Sequence, residues 1–142
     1  MPTLSGALSA SASALDAQRT RLEVAVSNIA NADSTHGPDG QPYRRRDVVL
    51  EATPIDSFDA ALGRADALGV KVGAIVEDRT AFTRRYEPSH PDADTDGFVA
   101  MPNVDVPEQM VDMLGAARAY QANLTAIGLI RDTMQRALEL GK

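Results

Sequence analysis

The residues of this 142-residue chain with the best claim to metal chemistry are Asp92, Asp94 and Asp96, which alternate ahead of Gly97. Asp-x-Asp-x-Asp-Gly opens a calcium loop: three oxygen donors on alternate residues converge on a hard cation while glycine lets the backbone turn beneath it. Val99 suits the apolar position that follows. Two features oppose that reading. The twelfth position, where such a loop needs a bidentate Glu, is Asn103, and Pro88 and Pro91 keep a helix from entering the loop. The expected structure is a solvated acidic turn beside a strand, with no metal and no cofactor.

Other chemistry is sparser still. The chain has no Cys, so thiol nucleophiles, thiolate metal sites and disulfides are excluded. It has two His: His36 in a Thr-His-Gly-Pro run and His90 between Ser89 and Pro91, both with the setting of a turn residue. No Gly-x-Ser-x-Gly and no phosphate-cradling glycine loop occurs. The triplet Arg44-Arg45-Arg46 could contact phosphate, but residues 36–104 hold eight basic and twelve acidic side chains, a net charge of −4. The triplet is better read as strand arginines paired with acidic neighbours. A whole-chain charge of −6 argues against nucleic acid, and 4% aromatics leave little to line a small-molecule pocket. The sequence reads as a non-enzyme.

The elements that carry these residues divide the chain in three. Seven of eight Pro and five of six aromatics fall between Gly37 and Pro107, whereas the ends are rich in Ala. The fold class expected is α+β: residues 1–35 an N-terminal helical segment, 36–104 a small β-containing insert, 105–142 a C-terminal helical segment, with the two long helices forming a coiled-coil-like hairpin. The first helix should run from about Leu4 to Ala32 and the second from about Val106 to Leu140, with Asp105 as N-cap. Tyr43 to Glu51, Gly69 to Asp78, Phe82 to Tyr86 and Phe98 to Met101 read as strands. Ser57 to Leu68 reads as a short helix or a loop.

Both helices carry apolar stripes at heptad spacing. Leu8, Leu15, Leu22 and Ile29 recur every seven residues in the first, with Arg19 interrupting the companion seam. In the second, Met113, Tyr120, Ile127 and Met134 follow the same period, and Met110 and Leu124 lie in the adjacent seam, with Arg131 in its gap. Two helices with one stripe apiece make a marginal core, because ordering each residue costs about 1–2 kcal/mol of backbone entropy. The ten stripe residues Leu8, Leu15, Leu22, Ile29, Met110, Met113, Tyr120, Leu124, Ile127 and Met134 are therefore expected to pack between subunits, with other copies supplying the missing helices. Arg19 and Arg131 are expected to meet carboxylates across subunits.

The run Ser27-Asn28-Ile29-Ala30-Asn31-Ala32-Asp33-Ser34 resembles the N-terminal signature of the bacterial flagellar axial protein family, the rod and hook components. Pro42-Tyr43-Arg44-Arg45, Tyr86 to Asp94, Gly97-Phe98-Val99, Pro102-Asn103-Val104, and Glu108 to Met113 continuing through Ala119 to Asn123 resemble the proximal-rod members of that family. The resemblance covers the whole chain and marks Asn28, Ile29, Ala30, Asn31, Ala32, Pro102, Asn103 and Val104 as family signature. Gln109 and Gln121 depart from it, since relatives are expected to carry acidic residues there.

The resemblance implies a structural subunit of the proximal rod of the flagellar basal body. It implies helical polymerisation into a periplasmic shaft that transmits torque from motor to hook. The implied partners are other copies, other proximal- and distal-rod proteins, the rod-to-membrane-ring junction protein and the flagellar type III export apparatus. Export without a cleaved signal peptide agrees with a start, Met1 to Gly6, that has no Lys or Arg. The competing reading is a soluble coiled-coil adaptor or export chaperone.

Overall fold

The computed structural model describes residues 4–55 and 68–140. In chain order it contains α1 (Leu4–Ala30), β1 (Arg46–Pro54), β2 (Leu68–Glu77), β3 (Thr83–Tyr86), β4 (Phe98–Met101) and α2 (Val106–Leu140). This is the α+β arrangement the sequence predicts, two long helices enclosing a small antiparallel insert. The stretch from Ser57 to Ala67, expected to be a helix or a loop, lies outside the described residues.

Local chemistry explains where the helices start and stop. Asp105 is the N-cap of α2: its Oδ1 accepts the backbone N–H of Glu108 at 3.1 Å, satisfying one of the orphan donors of the first turn. α1 stops at Ala30, two residues before the expected end, because Asn31 closes it. The Asn31 side chain donates to the Ser27 carbonyl at 2.8 Å, and its backbone N–H is shared between the carbonyls of Ser27 and Asn28. The last carbonyls of the helix are thus occupied and the chain turns away. At 1.5 Å per residue α1 is about 40 Å long and α2 about 52 Å, so α2 outruns its neighbour.

β1 and β2 pair antiparallel from Arg46↔Glu77 to Pro54↔Leu68, with one irregularity between Val49 and Leu50. Gly73 is the extra residue there, and a Cβ on it would collide with the Glu51 side chain. The pair is anchored on α1 at two places. The Ser13 hydroxyl donates to the Ala10 carbonyl at 2.8 Å and accepts the Val70 N–H at 3.1 Å, beside the buried Gly69. Asn28 holds Arg46. These points are about 22 Å apart along the helix, so the two strands lie alongside α1.

β3 and β4 pair from Thr83↔Met101 to Tyr86↔Phe98. The acidic run between them is the solvated turn the sequence predicts. Asp94 Oδ1 accepts the N–H groups of Asp96 at 3.0 Å and Phe98 at 2.8 Å, and its Oδ2 pairs with Arg84. Gly97 turns the chain at φ +80°, where a side chain would be strained and its Cβ would lie 2.9 Å from the Tyr86 ring. His90 Nδ1 accepts the Asp92 N–H at 3.1 Å, a local turn bond. Among the described residues no three His, Asp or Glu side chains form a group that could hold a metal ion.

The core is small. Among the described residues the buried apolar side chains are Val99 and Met101 on β4, Pro102 just after it, Ala17 and Ala25 on α1, and Ala116 on α2. Among the described residues no Leu, Ile or Phe is buried. Full burial of one such side chain contributes roughly 1.5–3 kcal/mol, and the lone chain gains that nowhere along its helices.

Candidate assembly interface

Two surfaces concern function: a polar joint that fixes the insert on the helices, and the apolar faces the helices leave open. The joint is built on Asn28, which is 1% exposed. Its Oδ1 accepts the Arg46 N–H and the Tyr43 hydroxyl, both at 3.0 Å. Its Nδ2 donates to the Arg46 carbonyl at 2.8 Å and to Gln109 Oε1 at 2.7 Å. The amide therefore uses all four of its hydrogen-bonding positions. It pairs with the backbone of Arg46 as a neighbouring strand would, just where β1 begins, and reaches across to the first turn of α2.

A second asparagine completes the seat. Asn103 Oδ1 accepts the Arg45 N–H at 2.9 Å, and its Nδ2 donates to the Asp78 carbonyl at 3.1 Å and to Thr80 Oγ1 at 2.8 Å. The Arg45 guanidinium then spans three carboxylates: Asp78 at 2.9 Å, Glu108 at 3.1 Å and Asp47 at 3.3 Å. Arg46 pairs with Glu77 at 3.5 Å, and Arg44 lies over the Phe82 ring, 4.2 Å from its centroid. The arginine triplet is thus absorbed by acidic and aromatic neighbours, as its composition suggested, although only Arg46 belongs to the strand.

Two carboxylates here are held below their usual pKa range. Asp78 is lowered by the Thr80 backbone N–H and by Arg45, against an opposing effect of burial. Asp94 is lowered by the Phe98 N–H and by Arg84, again against burial. A depressed folded-state pKa stabilises the fold above the unfolded value, about 3.9 for Asp, and that contribution disappears as pH falls through the folded pKa. The part of the insert's stability that these two carboxylates supply should persist from neutral pH down to about 4 and be lost in stronger acid. Asp94→Asn should destabilise the chain at pH 7 and flatten its acid dependence. Thermal melts of both proteins across that range check this; an unchanged acid profile in the variant would count against it.

The stripe residues stand apart from the sealed positions. Leu8, Leu15, Leu22 and Ile29 are half-buried in the single chain, as are Met113, Tyr120 and Ile127. Met110 and Leu124 are each 48% exposed and Met134 is exposed too. Every residue from Arg131 to Leu140 is exposed. Val111, Leu114 and Leu129 are also exposed; the heptad count missed them because they fall outside its two seams. The signature residues divide by role: Asn28 forms the joint, Asn31 the helix stop, Asn103 the second seat, and Pro102 is buried beside it. Arg19 pairs with Glu23 on its own helix at 2.9 Å, an exposed pair of neighbouring turns.

The two ends of the chain match family models. Residues 8–38 match the model described as flagella basal body rod protein, and residues 95–140 the model described as flagellar basal body rod FlgEFG protein C-terminal. The flagellar basal-body rod protein FlgC of Salmonella typhimurium is 48% identical over 130 residues, covering 92% of each chain. The chain belongs to the FlgC family of flagellar basal-body rod proteins. FlgC of Bacillus subtilis is 43% identical, over 95% of this chain and 96% of its own. That of Agrobacterium fabrum is 40% identical, over 100% and 98%. The FlgC family is one of structural rod proteins, not of enzymes, and the chain is a rod subunit of the flagellar basal body. Among the described residues no helix is long and apolar enough to cross a membrane.

Proposed function

We propose that this chain polymerises helically in the proximal rod, the periplasmic part of the shaft that transmits torque from motor to hook. Its terminal helices pair in coiled-coil fashion with each other and with those of neighbouring subunits. The three segments 1–35, 36–104 and 105–142 act as axial helix, insert and axial helix. The neighbours are other copies, other proximal- and distal-rod proteins and the junction protein of the membrane ring. The chain arrives through the flagellar type III export apparatus without a cleaved signal.

One observation carries this reading. The helices leave Met110, Leu114, Leu124, Leu129 and Leu138 uncovered, while their sealed residues are alanines and two amides. An apolar face of this extent on a long helix finds its burial in other helices. An adaptor or chaperone that folds alone would need those faces covered within the chain.

Limited proteolysis separates the two readings. Arg131 and Arg136 are exposed on the uncovered part of α2. Trypsin should cut the dilute chain at both within minutes and spare them in purified basal bodies. Resistance at both sites in the dilute chain would favour the adaptor.

A further inference from the structure

We infer that the buried Asn28–Gln109 pair sets the register in which α1 lies on α2, and that position 109 serves as a hydrogen-bond acceptor rather than as an amide. Asn28 and Gln109 are the two buried polar residues among those described, 1% and 2% exposed. The other sealed helix positions, Ala17, Ala25 and Ala116, are alanines, and further alanines recur at 10, 14, 117, 119, 122 and 126. Alanine presents nearly the same small knob at every turn. Contacts between such small side chains specify the axial offset of two helices only weakly.

The polar pair is different. Asn28 is held by both the N–H and the carbonyl of Arg46, so the insert fixes its place. Gln109 meets it at 2.7 Å in this register, and a slipped α2 would leave one Asn28 N–H and the Gln109 amide without each other. A single buried polar residue in a helix interface is a known means of fixing register at some cost in stability.

The orientation of Asn28 dictates what Gln109 offers. With Asn28 Oδ1 facing the Arg46 N–H, its Nδ2 faces Gln109, so Gln109 must present its oxygen. The Gln109 Nε2 is then buried without a hydrogen-bond partner among the described residues. Half of the glutamine goes unused, and a carboxylate at position 109 would make the same bond.

The test uses the Cys-free chain. Spin labels on Glu23→Cys and Thr125→Cys, both at exposed positions, report the offset between the helices by pulsed electron paramagnetic resonance. The parent chain should give one narrow distance. Gln109→Leu should add a second population displaced by about one helical turn, and Gln109→Glu should restore the single distance. Should Gln109→Leu fail to fold, Gln109→Met, which keeps the length and removes the acceptor, is measured in its place. A single unshifted distance in the Leu or Met variant would overturn the register role. Broadening in the Glu variant would overturn the acceptor role.

Discussion

Leu124→Asp should abolish swimming and leave basal bodies without a complete rod, while the isolated chain stays as stable as its parent. Leu124 is 48% exposed in the single chain, and surface substitutions away from buried networks usually change stability by less than about 0.5 kcal/mol. In an assembled rod the same carboxylate would be shut between helices without a partner. A buried charge left uncompensated costs about 3–5 kcal/mol, repeated at every copy. The measurement is complementation of a strain lacking its own gene, with rods scored in purified basal bodies. Leu124→Met, which keeps volume and apolarity, should restore both. Leu22→Asp should also block assembly, but Leu22 is half-buried in the chain itself, so its loss confounds folding with assembly. A motile Leu124→Asp strain with complete rods would remove this face from the interface.

Asn28→Leu should have the largest effect on the chain's own stability. It leaves the Arg46 N–H and carbonyl, Gln109 Oε1 and the Tyr43 hydroxyl without their Asn28 partner. Each buried group left unsatisfied costs about 1–3 kcal/mol, and a domain has only about 5–15 kcal/mol to lose. The melting temperature should fall by more than about 10 °C, and the Arg46 amide should lose protection from hydrogen exchange. Asn31→Ala provides the contrast. Asn31 bonds Ser27 at the helix end, where water can replace it, so the expected cost is about 1 kcal/mol. If Asn28→Leu melted as Asn31→Ala does, the joint would not be what holds the insert.

Much of this fold was legible because its signals are local. The bounds of α2 follow from the Asp105 cap and the heptad run, and β4 from four residues between a Gly turn and Pro102. β1 followed from its Val48-Val49-Leu50 core and β2 from alternation, each to within a few residues. The acidic loop was legible as a turn because Pro88, Pro91 and Gly97 all oppose regular structure there. What stayed hidden depends on partners distant in sequence. Asn28 and Gln109 are 81 residues apart, and nothing in either segment announces the other. Heptad spacing shows which face of a helix is apolar, but not what covers it. Hence Leu8, Leu15 and Leu22 are only half-buried in the chain, while Ala17 and Ala25, unremarkable in sequence, are sealed. The Arg19–Glu23 pair, by contrast, needs only one helical turn, although the seam pattern drew attention to Arg19 alone.

The central claim is that the chain completes its core in its neighbours. An image reconstruction of basal bodies built from this chain, at side-chain resolution, tests it most directly. Leu114, Leu124 and Leu129, now 55%, 48% and 64% exposed, should each be buried against helices of adjacent subunits. Finding those three side chains still facing solvent or the central channel in the assembled rod would contradict the account.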